Sequence, residues 1–226
     1  MSDGVRQGAR SIAFCEGEFL VKALESEEEF RQAYRLRHRV FAEKLGWVPE
    51  REDRLESDIY DAWSTAIGIF SSHNELLGMV RMTPAPFPFM LESEFSGCLV
   101  GSHHVRKELD TAEITRLAVD PTIVDRGLSA KLMRTIFKGM YHWTLANNIR
   151  YTYLVVESRL LRVVQRIGWP CHAIGAPVAL PPAYVLSVGA LLDLDEFRAN
   201  AASKQPEMLA WLHSTEPVTT VIVEKR

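Results

Sequence analysis

Apolar and polar positions along the chain follow two periods, one typical of strands and one typical of helices. Ser26 followed by Glu29 matches a capping box, which predicts a helix running to about Leu45 with Gly46 ending it. Further amphipathic helices are predicted at 126–148, 158–167 and 195–213. Apolar runs predict strands at 18–24, 62–70, 76–82, 113–119 and 151–156, and a β-rich segment at the end of the chain.

Strands that alternate with helices in this way predict an α/β (α+β) fold, in which helices cover a mixed, twisted sheet in a three-layer sandwich. No repeat, low-complexity segment or clear linker divides the chain of 226 residues. We therefore predict one domain over 18–226, preceded by a flexible leader over 1–17.

Composition excludes several classes of protein. A net charge of −3 argues against a general nucleic-acid binder, although it permits a local basic patch. The three cysteines form no C-x-x-C pair, so neither a disulfide framework nor a metal site is predicted. The longest apolar runs are interrupted by Gly, Pro or charge, and the first residues lack the apolar segment of a secretory signal. These features predict a cytoplasmic protein without a membrane span.

Charged and aromatic residues recur in the first half of the chain within the stretches RLRHRVFAEKLGW, ESDIYD, GMVRMTP, ESEF and EITRLAV. Each one alone is explained by packing, by a solvated surface or by a structural salt bridge. Together they form a spaced series that packing does not require. The series consists of Arg37, Phe41, Trp47, Asp58, Asp61, Arg81, Phe95, Glu113 and Arg116.

This series resembles the signature of the LuxI-type acyl-homoserine-lactone synthases, which are related in fold to the GCN5-related N-acetyltransferases. The acidic–x–Ser/Thr–Arg motif of that family is matched by 113–116, and its P-x-M-L element by 88–91. Its G-x-x-R-L-x-P-T stretch is matched with departures by 78–84, where Met82 replaces the usual Leu and the Thr-Pro order differs. The resemblance covers roughly 18–170.

The resemblance implies an enzyme that acylates the α-amine of S-adenosylmethionine from an acyl thioester and then closes the lactone. S-adenosylmethionine is then a substrate, and no cofactor is expected. Glu113 becomes the candidate general base, acting through water. The implied catalytic residues are Glu113, Arg116, Asp58, Asp61 and Arg81. The implied binding residues for S-adenosylmethionine are Arg37, Phe41, Trp47, Phe95 and Thr115.

The chemistry of S-adenosylmethionine suggests what these side chains do. Aromatic faces hold a sulfonium or an adenine by cation–π and stacking contacts. Either Asp58 or Asp61 orients the ammonium, and either Arg37 or Arg116 holds the carboxylate in a bidentate contact. The sequence leaves both choices open.

An apolar set is predicted as core that also lines a tunnel for the acyl chain. At the strand position where some family members carry a Thr linked to 3-oxo chains, this chain has Val155 or Val156, which suggests unsubstituted chains. The chain length stays open. The predicted pocket consists of Met90, Leu117, Met133, Phe137, Val155 and Val156.

The acyl donor is left open between an acyl carrier protein and coenzyme A. Residues 125–130 resemble a weakened pyrophosphate-binding turn, but an ordinary capped helix start explains them equally well. Basic residues on the next helix are either a solvated face or a docking site for an acidic carrier protein. The predicted docking residues are Arg159, Arg162 and Arg166.

Two other functions remain possible from the sequence. An N-acyltransferase or N-acyl amino acid synthase that acts on another amine would share the fold and the thioester donor. A non-catalytic protein that binds acyl signals or nucleotides would show no turnover. The polar character of the first half favours the synthase, which we expect to be a monomer or a weak oligomer.

Overall fold

The structure, a computed structural model, describes residues 9–99 and 103–218. Within them nine strands form one sheet in the order β1-β2-β3-β4-β5-β6-β9-β7, and β8 pairs with β9. The strands are β1 (Ala13–Glu16), β2 (Phe19–Ala23), β3 (Thr65–Phe70), β4 (Leu76–Pro84), β5 (Thr111–Val119), β6 (Tyr151–Glu157), β7 (Cys171–Ala173), β8 (Val178–Leu180) and β9 (Val185–Asp193). The α-helices are α1 (Glu27–Arg37), α2 (Arg126–Ala146), α3 (Ser158–Arg166), α4 (Leu194–Lys204) and α5 (Pro206–His213).

The first helix begins and ends as its sequence predicts. The Ser26 side chain accepts from the Glu29 N–H, and the Glu29 carboxylate accepts from the Ser26 N–H, which completes the capping box. After α1 the chain continues as a π-helix over His38–Lys44 and turns at Gly46, whose φ is +62°. The helical segment therefore ends where predicted, and its wider last turns carry Phe41.

Two apolar layers hold the helices against the sheet. On one face α2 packs on β2, β3, β4 and β5 through residues that include Leu132, Ile136 and Trp143. On the other face α1 packs on β4 and β5, and its Ala33 and Leu36 belong to a second apolar cluster. This arrangement of helix, sheet and helix confirms the predicted three-layer α/β fold.

The two central strands separate partway along their length. β5 is antiparallel to β4 and parallel to β6, and among the described residues β5 and β6 pair only over Thr111–Ile114 and Tyr151–Leu154. Both strands continue beyond this point, to Val119 and Glu157. Their diverging halves leave a cleft through the middle of the sheet.

Some predictions about the ends of the chain are wrong. Ala13–Glu16 pairs with β2 as an edge strand, so the predicted leader over 1–17 is wrong for these residues. The helix predicted over 195–213 is two helices, because Pro206 lacks the N–H to continue α4 and instead begins α5. Of the β-rich segment predicted at the end, Glu216 bridges to Cys15, and 219–226 lie outside the described residues.

None of the helices in the described residues is both long enough and apolar enough to cross a membrane.

Candidate active site

The cleft between β5 and β6 joins two cavities that lie on opposite sides of the sheet. The α2-side cavity has a volume of about 410 Å³ and extends beneath α2 and α3. The loop-side cavity has a volume of about 630 Å³ and is closed by segments around 58–60, 90–95 and 180–187. The two cavities share the wall residues Phe41, Trp47, Ile114, Thr115, Arg116, Val155, Val156 and Glu157.

A β-bulge at Arg116 directs the charged residues of β5 to the loop side. Met79 pairs with Ala118 and Arg81 with Thr115, so Val80 alone lies opposite two residues of β5. Arg116 has a φ of +52°, which is unusual for a residue with a side chain. In a regular strand Glu113 and Arg116 would point to opposite faces, and the bulge removes that conflict. Strained backbone of this kind is common at functional sites.

Three arginines and three carboxylates form a charge cluster behind the loop-side cavity. Arg37 contacts Glu56, Asp58 and Asp61, with 2.6 Å from its Nη1 to the Asp61 Oδ1. Arg81 contacts Asp58 and Asp61. Arg116 contacts Glu56 and Asp58, with Nη2–O distances of 2.9 and 2.8 Å. The charges balance, which offsets the cost of burying them.

The sequence ESDIYD builds the acidic half of this cluster locally. Asp58 caps a 3₁₀-helix over Ile59–Trp63 by accepting from the Tyr60 N–H, and Asp61 accepts from the Asp58 N–H. Burial alone raises the pKa of Glu56 and of Asp61, but the hydrogen bonds and charge of Arg37 outweigh it, so both pKa values are lowered. Glu56 and Asp61 are therefore held ionised.

Only part of the predicted polar set reaches a large cavity. Asp58 and Arg116 line the loop-side cavity. Arg37 and Arg81 are each 1% exposed and lie behind them with Asp61, around a pocket of only about 10 Å³. Arg37 was predicted to bind a substrate, but its guanidinium is engaged by three carboxylates. The structure thus brings the predicted residues together while assigning them to two layers.

Glu113 is enclosed below the turn that carries Met90 and Leu91. Its carboxylate accepts from the backbone N–H of Met90 and of Leu91 at 2.8 and 2.7 Å. Burial raises the pKa of Glu113 to about 7, although these hydrogen bonds oppose the shift. Glu113 is absent from the walls of both cavities, whereas its neighbours Thr115 and Arg116 line them. It therefore fixes the turn and holds a proton with a pKa near neutrality.

Met90 connects this turn to the charge cluster. Its sulfur accepts from Arg81 Nη2 at 3.0 Å, and Thr115 Oγ1 accepts from Arg81 Nε at 2.9 Å. Met90 was predicted to line the acyl pocket; it lines the loop-side cavity and not the α2-side cavity, where the other five predicted residues lie. The Met90 backbone N–H donates to the Glu113 carboxylate, and this hydrogen bond orients the Met90 side chain toward the arginines.

Aromatic side chains form the remaining wall. Phe41 and Trp47 stack with ring centroids 6.0 Å apart and an interplanar angle of 30°. The Arg116 guanidinium lies 5.5 Å from the Phe41 ring centroid. Phe95 joins them in the wall of the loop-side cavity. All three predicted aromatic residues therefore face the same space.

Sequence reasoning missed several carboxylates of the site. Glu56 stands two residues before Asp58 in an acidic run that resembles solvated surface. Glu94 precedes Phe95, lines the loop-side cavity, and accepts from the Tyr60 and Ser93 hydroxyls. Burial alone raises the pKa of Glu94, but these hydrogen bonds prevail and lower it. Glu157 ends β6 in the wall of both cavities.

Most residues in the wall of the α2-side cavity are apolar, and the charged residues Lys44, Arg116, Asp120 and Glu157 line its edge. Its wall contains five of the six residues predicted for an acyl pocket, namely Leu117, Met133, Phe137, Val155 and Val156. Cys171 also lies there, and burial raises the pKa of its thiol to about 12, so it stays neutral.

Helix α2 begins with a side-chain cap at Asp125. The Asp125 carboxylate accepts from the Leu128 N–H at 2.6 Å. This negative side chain occupies the position in which a pyrophosphate would contact the helix N-terminus. On the next helix, the predicted docking residues Arg159, Arg162 and Arg166 are all exposed.

Comparison with known proteins shows the family to which the chain belongs. The family model of autoinducer synthases matches residues 22–201. The chain belongs to the autoinducer synthase family. It is 34% identical to the acyl-homoserine-lactone synthase of Aeromonas hydrophila over 191 residues, which is 83% of this chain and 91% of the relative. It is 30% identical to the acyl-homoserine-lactone synthase of Agrobacterium fabrum over 155 residues, covering 66% and 72% of the two chains. The predicted family is thereby confirmed.

Solved structures agree on the fold. TofI, in a ternary complex with an inhibitor and MTA, is 22% identical with a TM-score of 0.68 and covers 85% of this chain and 100% of its own. BjaI, a CoA-dependent acyl-homoserine lactone synthase with MTA, is 21% identical with a TM-score of 0.67, covering 83% and 81%. FeeM, an N-acyl amino acid synthase, is 15% identical with a TM-score of 0.61, covering 80% and 93%.

The charge cluster predicts a specific dependence of stability on Glu56. Glu56→Gln leaves Arg37 and Arg116 short of a counter-charge in a buried position, so we expect a loss of unfolding free energy on the order of 3 kcal/mol at pH 7. Because the pKa of Glu56 is lowered on folding, its contribution is present above its ordinary value of 4.5 and is lost as the pH falls below that value. Urea denaturation at several pH values measures the difference.

Glu52→Gln, at an exposed carboxylate in the same segment, is the matched control and should change little. A difference between the wild type and Glu56→Gln that stays constant from pH 7 to pH 3 would contradict the assignment.

Proposed function

We propose that this protein synthesises an N-acyl-homoserine lactone from S-adenosylmethionine and an acyl thioester. The observation that carries the proposal is the junction of two cavities at Arg116, one that borders the charge cluster at Asp58 and one that extends among apolar side chains beneath α2 and α3. Two substrates entering from opposite sides of the sheet would meet at that junction. The family assignment supports this activity, since the curated relatives are acyl-homoserine-lactone synthases.

The loop-side cavity suits S-adenosylmethionine in charge. Its charged wall residues include the carboxylates Asp58, Glu94 and Glu157 and the guanidinium Arg116, a net charge of two negative. S-adenosylmethionine carries a sulfonium, an ammonium and a carboxylate, a net charge of one positive. Asp58 then orients the ammonium and Arg116 holds the carboxylate, because these two members of the cluster face the cavity. Arg37, Arg81 and Asp61 position them from behind.

The α2-side cavity suits the acyl chain. Its volume of about 410 Å³ and the apolar side chains that line it beneath α2 and α3 favour an aliphatic group over water. An acyl chain in this cavity places the thioester carbonyl at the junction, within reach of the amine. The edge of β5 beyond Ile114, which β6 no longer pairs, supplies backbone N–H groups for the oxyanion, a contribution of about 10²–10³ in rate in other enzymes.

The reaction then proceeds in two steps. The α-amine attacks the thioester carbonyl, the thiol departs, and the amine proton passes to a base. The methionyl carboxylate next attacks its own γ-carbon and displaces methylthioadenosine, which closes the lactone. That second step depends on a folded conformation of the bound substrate, which Arg116 and the Phe41–Trp47 wall enforce.

The first experiment is mass spectrometry of the products formed from S-adenosylmethionine and a panel of acyl thioesters. An N-acyl-homoserine lactone that appears together with methylthioadenosine is the expected outcome, since one step yields each product. Release of thiol without methylthioadenosine would favour an N-acyltransferase acting on another amine. The absence of turnover with any donor would favour a binding protein.

Glu113 is proposed as the group that accepts the amine proton through water. Its pKa of about 7 suits proton transfer near neutral pH, so the rate of acylation should rise with pH through that value. We expect Glu113→Gln to lower the acylation rate at least about 10²-fold while changing the dissociation constant of S-adenosylmethionine less than about tenfold. Single-turnover product formation and equilibrium dialysis measure the two quantities.

Glu108→Gln, at an exposed carboxylate near the start of β5, is the control and should retain full activity. Full activity of Glu113→Gln would remove Glu113 from catalysis. A loss of S-adenosylmethionine binding equal to the loss of rate would instead make Glu113 a positioning residue that holds the Met90–Leu91 turn.

An acyl carrier protein is the donor that we propose. The Asp125 carboxylate at the start of α2 disfavours a pyrophosphate there. On α3, Leu160, Val163 and Ile167 are 41–49% exposed along one face beside the basic residues, an arrangement that suits an acidic partner with an apolar contact patch. The basic residues of this docking face are Arg159, Arg162 and Arg166.

Reversal of charge on this face should separate the two donors. We expect the double variant Arg162→Glu and Arg166→Glu to raise the KM for an acyl carrier protein substrate about tenfold or more, with little change in kcat. The KM for the matching acyl-CoA should stay within about twofold, because pantetheine alone enters the cleft. Arg31→Glu, on the exposed side of α1, is the control. An equal effect on both donors would refute docking at α3.

A further inference from the structure

One buried hydroxyl in the α2-side cavity has no hydrogen-bond partner. Thr152 lies on β6 with Leu154 and Val156 on the same face of the sheet, and all three line that cavity. Thr152 is 1% exposed. Its Oγ1 contacts no donor or acceptor within hydrogen-bond distance among residues 9–99 and 103–218.

A buried hydroxyl without a hydrogen-bond partner in the protein is unfavourable unless a bound molecule supplies that partner. Removal of a hydroxyl from water without a replacement partner costs free energy, which is why buried polar groups are nearly always paired. The other threonine at the far end of the cavity, Thr144, donates to the Tyr141 carbonyl at 2.7 Å. Thr152 is therefore the hydroxyl with free capacity there, and it offers both a donor and an acceptor.

The strand register fixes where this hydroxyl lies relative to the reacting centre. Thr152 pairs with Ala112 on β5 and with Leu192 on β9, within the paired half of the central strands. On β6 the junction of the two cavities begins at Val155, three residues farther along or about 10 Å at the rise of a parallel strand, and on β5 it begins at Ile114, which pairs with Leu154. Val155 and Val156 offer no side-chain hydrogen bond at the junction itself. Recognition of an oxygen would thus occur well beyond the thioester carbonyl.

We propose that Thr152 selects acyl chains that carry a hydroxyl or keto oxygen in their distal half. The inference rests on the proposed function and names the substrate class of the same site. Such an oxygen would supply the missing partner of Oγ1, whereas a plain chain would leave it unpaired. We therefore expect a higher kcat/KM for the substituted chain, because a plain chain leaves the buried hydroxyl without a hydrogen bond.

The test compares octanoyl, 3-oxo-octanoyl and 7-hydroxyoctanoyl thioesters on the same carrier. In the wild type we expect kcat/KM for 7-hydroxyoctanoyl to exceed that for octanoyl about tenfold. Thr152→Val, which keeps the shape and removes the hydroxyl, should abolish this ratio. Thr152→Ser should restore it. Thr135→Val, at a buried threonine of α2 outside the cavity wall, should leave it unchanged.

Other results would overturn the inference. One such result is a ratio of kcat/KM for 7-hydroxyoctanoyl to kcat/KM for octanoyl that is the same in the wild type and in Thr152→Val. The Thr152 hydroxyl would then recognise no substituent. A change confined to 3-oxo-octanoyl places recognition beside the carbonyl and refutes the distal assignment. Octanoyl turnover to the lactone is the baseline, so failure of the proposed function appears as the absence of lactone from every thioester. If Thr152→Val does not fold, the wild-type ratio and Thr152→Ser still decide.

Discussion

The buried cluster of three guanidinium and three carboxylate groups determines much of the architecture around the cleft. It joins the end of α1, the 56–61 segment, β4 and β5, which are far apart in sequence. Each ion taken from water is costly, so the geometry has to satisfy every charge at once. That requirement fixes the position of Asp58 and Arg116, whose side chains alone in the cluster line the loop-side cavity. The wall of the loop-side cavity therefore depends on cluster residues that do not line it.

A second constraint acts through the backbone of β5. The bulge at Arg116 turns the strand away from β6 and directs its guanidinium into the cluster. The same local distortion thus opens the cleft and supplies a charged group at its mouth. Because a positive φ is unfavourable for arginine, the ion pairs to Glu56 and Asp58 have to hold it in place. The shape of the cavity wall and the stability of the cluster are therefore coupled at Arg116.

The sequence predicts elements whose signals are local. The capping box at Ser26, the turn at Gly46 and the periodicity of α2 place helices closely, since each signal lies within a few residues. The structure also brings the spaced charged and aromatic series together around the loop-side cavity and the charge cluster behind it. The sequence could not predict which of these residues line the cavity and which lie behind them, because Arg37 and Arg116 are equivalent until tertiary contacts distinguish them. Glu56 was missed because a carboxylate in an acidic run resembles solvated surface.

Glu113 shows the same difference between local and tertiary information. A motif places an acid beside an arginine, but only the fold shows that backbone N–H groups from the Met90–Leu91 turn occupy its two oxygens. Those contacts favour the charged form, yet burial prevails and the pKa rises to about 7. A carboxyl group in this balance exchanges a proton at little cost near neutral pH. Glu113 also holds the turn whose Met90 contacts Arg81 and lines the loop-side cavity. A change in the charge of Glu113 therefore also affects the wall of that cavity.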